Sequence, residues 1–288
     1  MKMLKHDAGI TPEKVKQLQA RSLAWAPPER TFRASWPLVR TYFRPTVRGI
    51  ERIPHGPTLF VGNHALFGID ILVLVIVIHQ QTGRYPRVLG DQFFFASPVG
   101  EVLMKYGWIL ADRDICAAMM EAGEDLLVFP GGAAESTQAE SEKYTLQWEK
   151  RNGFVRMAAQ HNYDITPFGM VGPDDCYRHL LEGHELVTRW PGSLLKTFGI
   201  VDDAREDLLP PLTSGLLGTQ LPKPQPCFLE FGDPIHVPGY RGREVPPDIL
   251  NGVKDQTAES IEALISEMLL LRAQQAGKTG LVRHLLLS

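Results

Sequence analysis

Cysteine is scarce: Cys116, Cys176 and Cys227 are three in 288 residues, far apart, with no CxxC or Cys/His ligand spacing. That argues against a disulfide or zinc framework, fits a reducing compartment, and predicts plain buried thiols. Long apolar runs are missing too. The longest, Ile71 to Ile78, falls far short of the roughly 20 residues a spanning helix needs, so nothing is expected to cross a bilayer. The opening MKMLKHDAGITPEK has no apolar stretch before a small-residue cleavage site, and no signal peptide is expected. There is no internal repeat and no low-complexity segment. A serine hydrolase would want the nucleophile elbow G-x-S-x-G, which is absent, as are the dinucleotide and P-loop fingerprints. With a net charge of only −3 and no recognisable binding module, nucleic acid is not an expected partner.

What is present is an ordinary globular composition, 44% hydrophobic and 22% charged, enough to bury a large core. The charge is unevenly spread. From Met1 to Ile53 eleven Lys/Arg face four acids, a surplus of +7, so the remainder carries −10. Within this basic section Thr11-Pro12-Glu13 opens a helix, with a cap and then proline in the first turn, and Val15, Leu18, Ser22 and Trp25 share a face. Phe32 to Phe43 interleaves Trp36, Tyr42 and Phe43 with Arg33, Arg40 and Arg44. Rings beside cations suit a helix lying in a lipid headgroup layer; the alternative is a face packed on the domain with its arginines solvated.

Beyond this section strands alternate with helices. Strands are predicted at Thr58–Val61, Arg87–Gly90, Trp108–Ala111, Asp125–Phe129, Asp164–Met170 and Cys227–Phe231. Helices are predicted from Ser97-Pro98 to Lys105, over Ile115–Ala122, over Tyr144–His161 with Gly153 interrupting, and from Pro247 to Gln275. Ile71–Ile78 is apolar on every side, and periodicity does not separate buried helix from buried strand there. Residues 172–226 are dense in Gly and Pro and read as a mixed excursion covering the site. The tail GLVRHLLLS is apolar with one basic pair, packed on the domain or touching lipid. The pattern predicts an α/β fold: a mostly parallel central sheet with helices on both faces, preceded by an N-terminal amphipathic helical segment. The expected organisation is a basic helical segment at 1–46, an α/β domain at 47–240, and a C-terminal helix and tail at 241–288.

Ligands of such sheets bind beyond the carboxyl ends of strands, and two stretches have the form of a strand opening into a polar turn. In Leu59–Asp70 (LFVGNHALFGID), Gly62-Asn63 precedes His64, and Asp70 follows six positions later. An imidazole supported by a carboxylate takes a proton from an alcohol as it attacks a carbonyl or thioester. Six residues of regular helix is about 240° around the axis, so His64 and Asp70 meet only if Ala65–Gly68 turn, which Gly68 makes feasible. Asp70 is also a candidate cap for a helix starting at Ile71. In Leu126–Ser136 (LLVFPGGAAES), Gly131 and Gly132 let backbone N–H groups face an anion or oxyanion, with Glu135 nearby. Any tight strand-to-helix turn tolerates two glycines as well.

Taken together these blocks resemble the glycerolipid acyltransferase superfamily over about Val47 to Ile235. Its members carry N-H-x4-D, G-x5-R, F-P-E-G-T-R and an apolar block with proline. The counterparts here are Asn63-His64 with Asp70, Gly107–Arg113 (GWILADR), Phe129–Ala134 (FPGGAA) and Ile165-Thr166-Pro167. The resemblance implies an O-acyltransferase moving a fatty acyl group from an acyl thioester, acyl-CoA or acyl carrier protein, to a lipid hydroxyl. In it His64 is general base and Asp70 its partner, with no metal or cofactor. The histidine-to-aspartate spacing is one residue longer than the family's, and Glu135 is a second candidate partner.

FPGGAA lacks the family's glutamate (Gly131 here) and arginine (Ala134 here), and that arginine is associated with an acceptor's phosphate. FPGGAAE, KRNGFVRMAAQ (Lys150–Gln160) and GMVGPDDCY (Gly169–Tyr177) are closer to the diacylglycerol acyltransferase branch, which takes neutral acceptors. The expectation is therefore a mono- or diacylglycerol or a long-chain alcohol. Arg113, Lys150 and Arg151 are candidates for binding the donor or a phosphate. The alternatives are a lysophospholipid or glycerol-phosphate acyltransferase, and a lipid-binding protein that keeps the fold without turnover. The expected location is cytoplasmic, peripheral on a membrane surface.

Overall fold

The structure is a computed structural model and describes residues 10–149, 151–181 and 211–275. Two helices lead in, α1 (Pro12–Leu23) and α2 (Glu29–Tyr42), followed by β1 (Thr46–Arg48) and β2 (Leu59–Gly62). Next come α3 (Ile69–Thr82), β3 (Arg87–Gly90), α4 (Gln92–Phe95), α5 (Pro98–Lys105) and β4 (Trp108–Leu110). The middle of the chain holds α6 (Arg113–Glu121), β5 (Leu126–Val128), α7 (Ala133–Ser136), α8 (Gly153–His161) and β6 (Ile165–Val171). Then β7 (Arg178–Leu181) pairs with β8 (Leu212–Ser214), and β9 (Phe228–Phe231) and α9 (Pro247–Gln275) follow.

One seven-stranded sheet runs in the order β1-β9-β6-β2-β5-β3-β4. The five strands from β6 to β4 are parallel; β9 runs antiparallel to β6, and β1 is parallel to β9. Side-chain alternation along β2 shows how both faces are filled. Leu59 and Val61 join the core under α1, α6, α8 and α9, while Phe60 joins the core under α2 and α3. The predicted mostly parallel α/β sheet with helices on both faces is the observed architecture, with β9 and β1 as its reversed edge.

Local chemistry explains most boundaries. The Thr11 hydroxyl accepts from Lys14 N at α1, and Ser97 and Asp112 side chains do the same at α5 and α6. Ile71–Ile78 is helix, part of α3, and all of it but Leu72 is buried, with the sheet on one side and α2 on the other. Phe32, Val39 and Phe43 of the α2 region point inward, and the Phe32 ring meets His79 and Tyr85. The three cysteines are free and buried, and burial pushes the Cys116 and Cys176 thiols up to about 12. Among the described residues no helix is long and apolar enough to cross a membrane.

Tyr144–His161 is a correction, because the helix spans only Gly153–His161 and the residues before it are irregular. Tyr144 and Glu149 take φ of 66° and 42°, which breaks helical continuity. The Tyr144 hydroxyl donates to Asp175 Oδ2 at 2.7 Å and accepts from Gly172 N. Arg272, in the last turn of α9, donates to that same Asp175 oxygen and to the Tyr144 hydroxyl. Of the expected excursion at 172–226, the antiparallel pair β7–β8 is an addition the sequence pattern missed; residues 182–210 and the tail GLVRHLLLS lie outside the described residues.

Candidate active site

β2 delivers His64 to the carboxyl edge of the sheet. Its last rung is fixed by Asn63, whose side-chain amide donates to Met170 O and accepts from Met170 N, both at 2.9 Å. The chain then reverses through Phe67 (φ 58°) and Gly68 (φ 71°), both left-handed, and enters α3 at Ile69. These two residues replace the helical path that would have separated His64 from Asp70. A left-handed phenylalanine costs roughly 1–2 kcal/mol, so the surrounding contacts must enforce the turn.

The result is a dyad: His64 Nδ1 lies 2.8 Å from Asp70 Oδ2. The ring is 12% exposed and Asp70 1%, and the imidazole stacks on Phe129 with centroids 4.3 Å apart. Three successive backbone amides are each held by a different buried carboxylate. His64 N donates to Glu135 Oε2 at 2.9 Å, Ala65 N to Asp70 Oδ2 at 3.1 Å and Leu66 N to Asp174 Oδ1 at 3.1 Å. The loop carrying the histidine is thus pinned by its own Asp70 and from two segments distant in sequence.

Burial disfavours a charged His64. The Asp70 carboxylate and its hydrogen bond, with Glu135 and Asp174 behind it, outweigh that and hold the ring's pKa above the ordinary 6.5. Burial also raises Glu135, against the opposing N–H groups of Gln147 and His64. Asp174 is pushed up to about 7, chiefly by burial. Among the described residues, Asp70 Oδ1 and Asp174 Oδ2 are buried without a hydrogen-bond partner. With Asp70 accepting at Nδ1, the neutral ring carries its lone pair on Nε2, the arrangement of a general base.

The Phe129–Gly132 bend adjoins this loop. Gly132 (φ 52°, ψ −132°) has a backbone few other residues adopt, and its N–H donates to Phe129 O at 3.0 Å. That N–H closes the turn instead of standing free for an oxyanion. Gly131 leaves room for Glu135, since a Cβ at 131 would overlap the Glu135 carboxyl. Glu135 therefore braces the backbone of His64 and of Gln147, while Asp70 is the ring's partner. Arg151 donates to Pro130 O and Gly131 O, capping the bend. Arg113 stands exposed at the start of α6, beyond β4 and three strands over from β2. Lys150 lies outside the described residues. Asp174 was missed as a site residue, although the stretch GPDD containing it was visible; two adjacent acids do not reveal which one turns inward.

Residues 44–171 match the family model described as Acyltransferase. This segment belongs to the acyltransferase family. It contains the dyad, the bend and Glu135, and the resemblance drawn from the motifs holds at the level of the family. An uncharacterized protein of Mycobacterium leprae is 29% identical over 236 residues, 80% of this chain and 61% of that protein. Phytyl ester synthase 2, chloroplastic, of Arabidopsis thaliana is 25% identical over 236 residues, 76% of this chain and 34% of the synthase. The DGAT1/2-independent enzyme synthesizing storage lipids of Mus musculus is 32% identical over 145 residues, 50% of this chain and 43% of that enzyme. The chain thus spans less than two thirds of the length of these relatives.

Proposed function

We propose that this chain transfers a fatty acyl group from an acyl thioester, acyl-CoA or acyl carrier protein, to the hydroxyl of a neutral, lipid-like acceptor. The observation that carries the reading is the 2.8 Å His64–Asp70 hydrogen bond at the carboxyl edge of an acyltransferase-family sheet. His64 Nε2 takes the proton of the acceptor hydroxyl as its oxygen attacks the thioester carbonyl. Asp70 keeps Nδ1 protonated and supports the imidazolium that forms. The tetrahedral intermediate then collapses, the carbon–sulfur bond breaks, and the departing thiolate receives the proton from His64. An ester and a free thiol result.

A neutral acceptor is favoured because the bend carries Gly131 and Ala134 where the family pattern has glutamate and arginine, and because Arg151, the guanidinium at the bend, is occupied by two turn carbonyls. Two relatives have names that speak of phytyl esters and storage lipids. Arg113 and Lys150 remain candidates for the phosphates of the donor.

The test is transfer from labelled long-chain acyl-CoA to a panel of mono- and diacylglycerols, long-chain alcohols and glycerol phosphates, with His64→Ala beside wild type. Wild type should esterify the neutral alcohols, and the variant should lose about 10²–10⁴-fold in rate. Preference for glycerol phosphates would overturn the acceptor assignment, and equal rates in both proteins would overturn the role of His64.

A further inference from the structure

Outside the dyad, five of the exposed large apolar side chains among the described residues lie on or beside one helical pair. β3 leaves the sheet at Gly90 on the edge that carries His64, since Val88 pairs with Leu127 one residue before β5 ends. Asp91 caps α4 and Ser97 caps α5. The two helices lie hard together at Gly100, where a Cβ would sit 2.8 Å from Phe95 Cα and 2.9 Å from Phe94 O. Their outward side chains therefore form one surface. Phe93 is 65% exposed and Val102 53%, with Val99, Tyr106 and Phe94 also open. Val99 and Val102 share one face of α5, with Tyr106 just past its end, while Gly100 and Met104 form the buried face.

Positive charge flanks this surface. Arg21 of α1 grips Glu101 of α5 at 2.7 and 2.8 Å. That bond first, and then the nearby Lys14 and Lys105, hold the exposed Glu101 carboxyl below its ordinary range. With Asp91 at the start of α4 counted beside Glu101, three cations stand against two acids, a surplus of one beside exposed rings and aliphatics. Apolar insertion and attraction to anionic headgroups add together in such an arrangement. A second copy of this chain fits less well, because a twofold contact through this face would bring the two cationic clusters together.

We infer that the α4–α5 face, flanked by Lys14, Arg21 and Lys105, docks on an anionic lipid surface and presents the His64 edge of the sheet to it. Its use rests on the proposed lipid acceptor, but the binding itself does not. This places the contact on α4–α5, where the rings point outward, instead of on Phe32–Phe43, where Phe32 and Phe43 point inward.

Co-sedimentation of the full chain with phosphatidylcholine vesicles, with and without phosphatidylglycerol, tests this. Wild type should prefer the anionic vesicles. Phe93→Ser/Val102→Ser should weaken that binding by about tenfold or more. Lys14→Glu/Lys105→Glu should abolish the preference for phosphatidylglycerol. Leu38→Ser, an equally exposed change on α2, should leave binding as it is. Transfer to a short, water-soluble alcohol should proceed at the wild-type rate in Phe93→Ser/Val102→Ser, which also shows that the variant is folded. Undiminished vesicle binding in that folded variant overturns the inference, as does a wild-type dimer that the variant splits without any change at vesicles. Vesicle binding lost in the variant while wild type transfers to no alcohol would sink the activity and leave the docking face standing.

Discussion

At the scale of single residues, the site is defined by how carboxylates are shared out. Asp70 spends one oxygen on both the His64 ring and Ala65 N, so it sets the tautomer and the loop at once. Asp70→Asn keeps the shape but offers an amide where Nδ1–H needs an acceptor. The expected outcome is a fall in kcat of at least about 10²-fold with little change in KM for the acceptor, measured by steady-state acyl transfer. The pH profile follows from the same contacts. In the proposed mechanism the base is neutral His64, and its neighbours hold the pKa above 6.5, so activity should fall as pH drops through that raised value. An acid limb centred well below 6.5 would contradict the arrangement. His64, Asp70 and Glu135 were all legible in the sequence, but the division of labour was not: ring partner and backbone brace are both carboxylates, and only the turn through Phe67 and Gly68 decides between them.

At the scale of elements, the double-glycine bend shows why a motif can be recognised while its mechanics stay hidden. Two glycines suggest free N–H groups, yet one of them makes space for a side chain four residues on. Gly131→Ala should therefore displace Glu135 and release His64 N, with an expected destabilisation of about 1–3 kcal/mol in urea unfolding and a larger loss of activity than of stability. Unchanged activity in a folded Gly131→Ala protein would show that Glu135 is not needed where it lies. Elements with strong local punctuation, α5 after Ser97-Pro98 and α9 from Pro247, were read within a residue or so. β1 was missed because its three residues gain their meaning from Phe228–Glu230, some 180 positions away. Tyr144–Gln147 was misread as helix because its backbone and hydroxyl serve Asp175, Gly172 and Glu135, demands that no local pattern records.

For the whole molecule, the buried titratable groups link the site to stability. His64 has a folded pKa above 6.5, so its contribution is full below 6.5 and is lost as pH rises through the raised value. Asp174 is raised from 3.8 to about 7, so its contribution is full below 3.8 and disappears as pH rises through about 7. Both groups act in the same direction and lower the unfolding free energy from pH 4 to pH 8, while His79 and His161, whose pKa values burial lowers, act the other way. In Asp174→Asn the decline should be shallower by up to about 4 kcal/mol, measured by urea unfolding across that range. Parallel curves would mean that Asp174 does not titrate in the folded protein.

The last turn of α9 reaches back through Arg272 to Asp175, whose neighbour Asp174 holds Leu66 N. A nascent polypeptide still lacking that turn already possesses all the parallel strands, so it can collapse before this strut arrives. Bracing of the histidine loop then trails compaction during synthesis: Arg272 reaches Asp175 only once α9 has emerged from the ribosome.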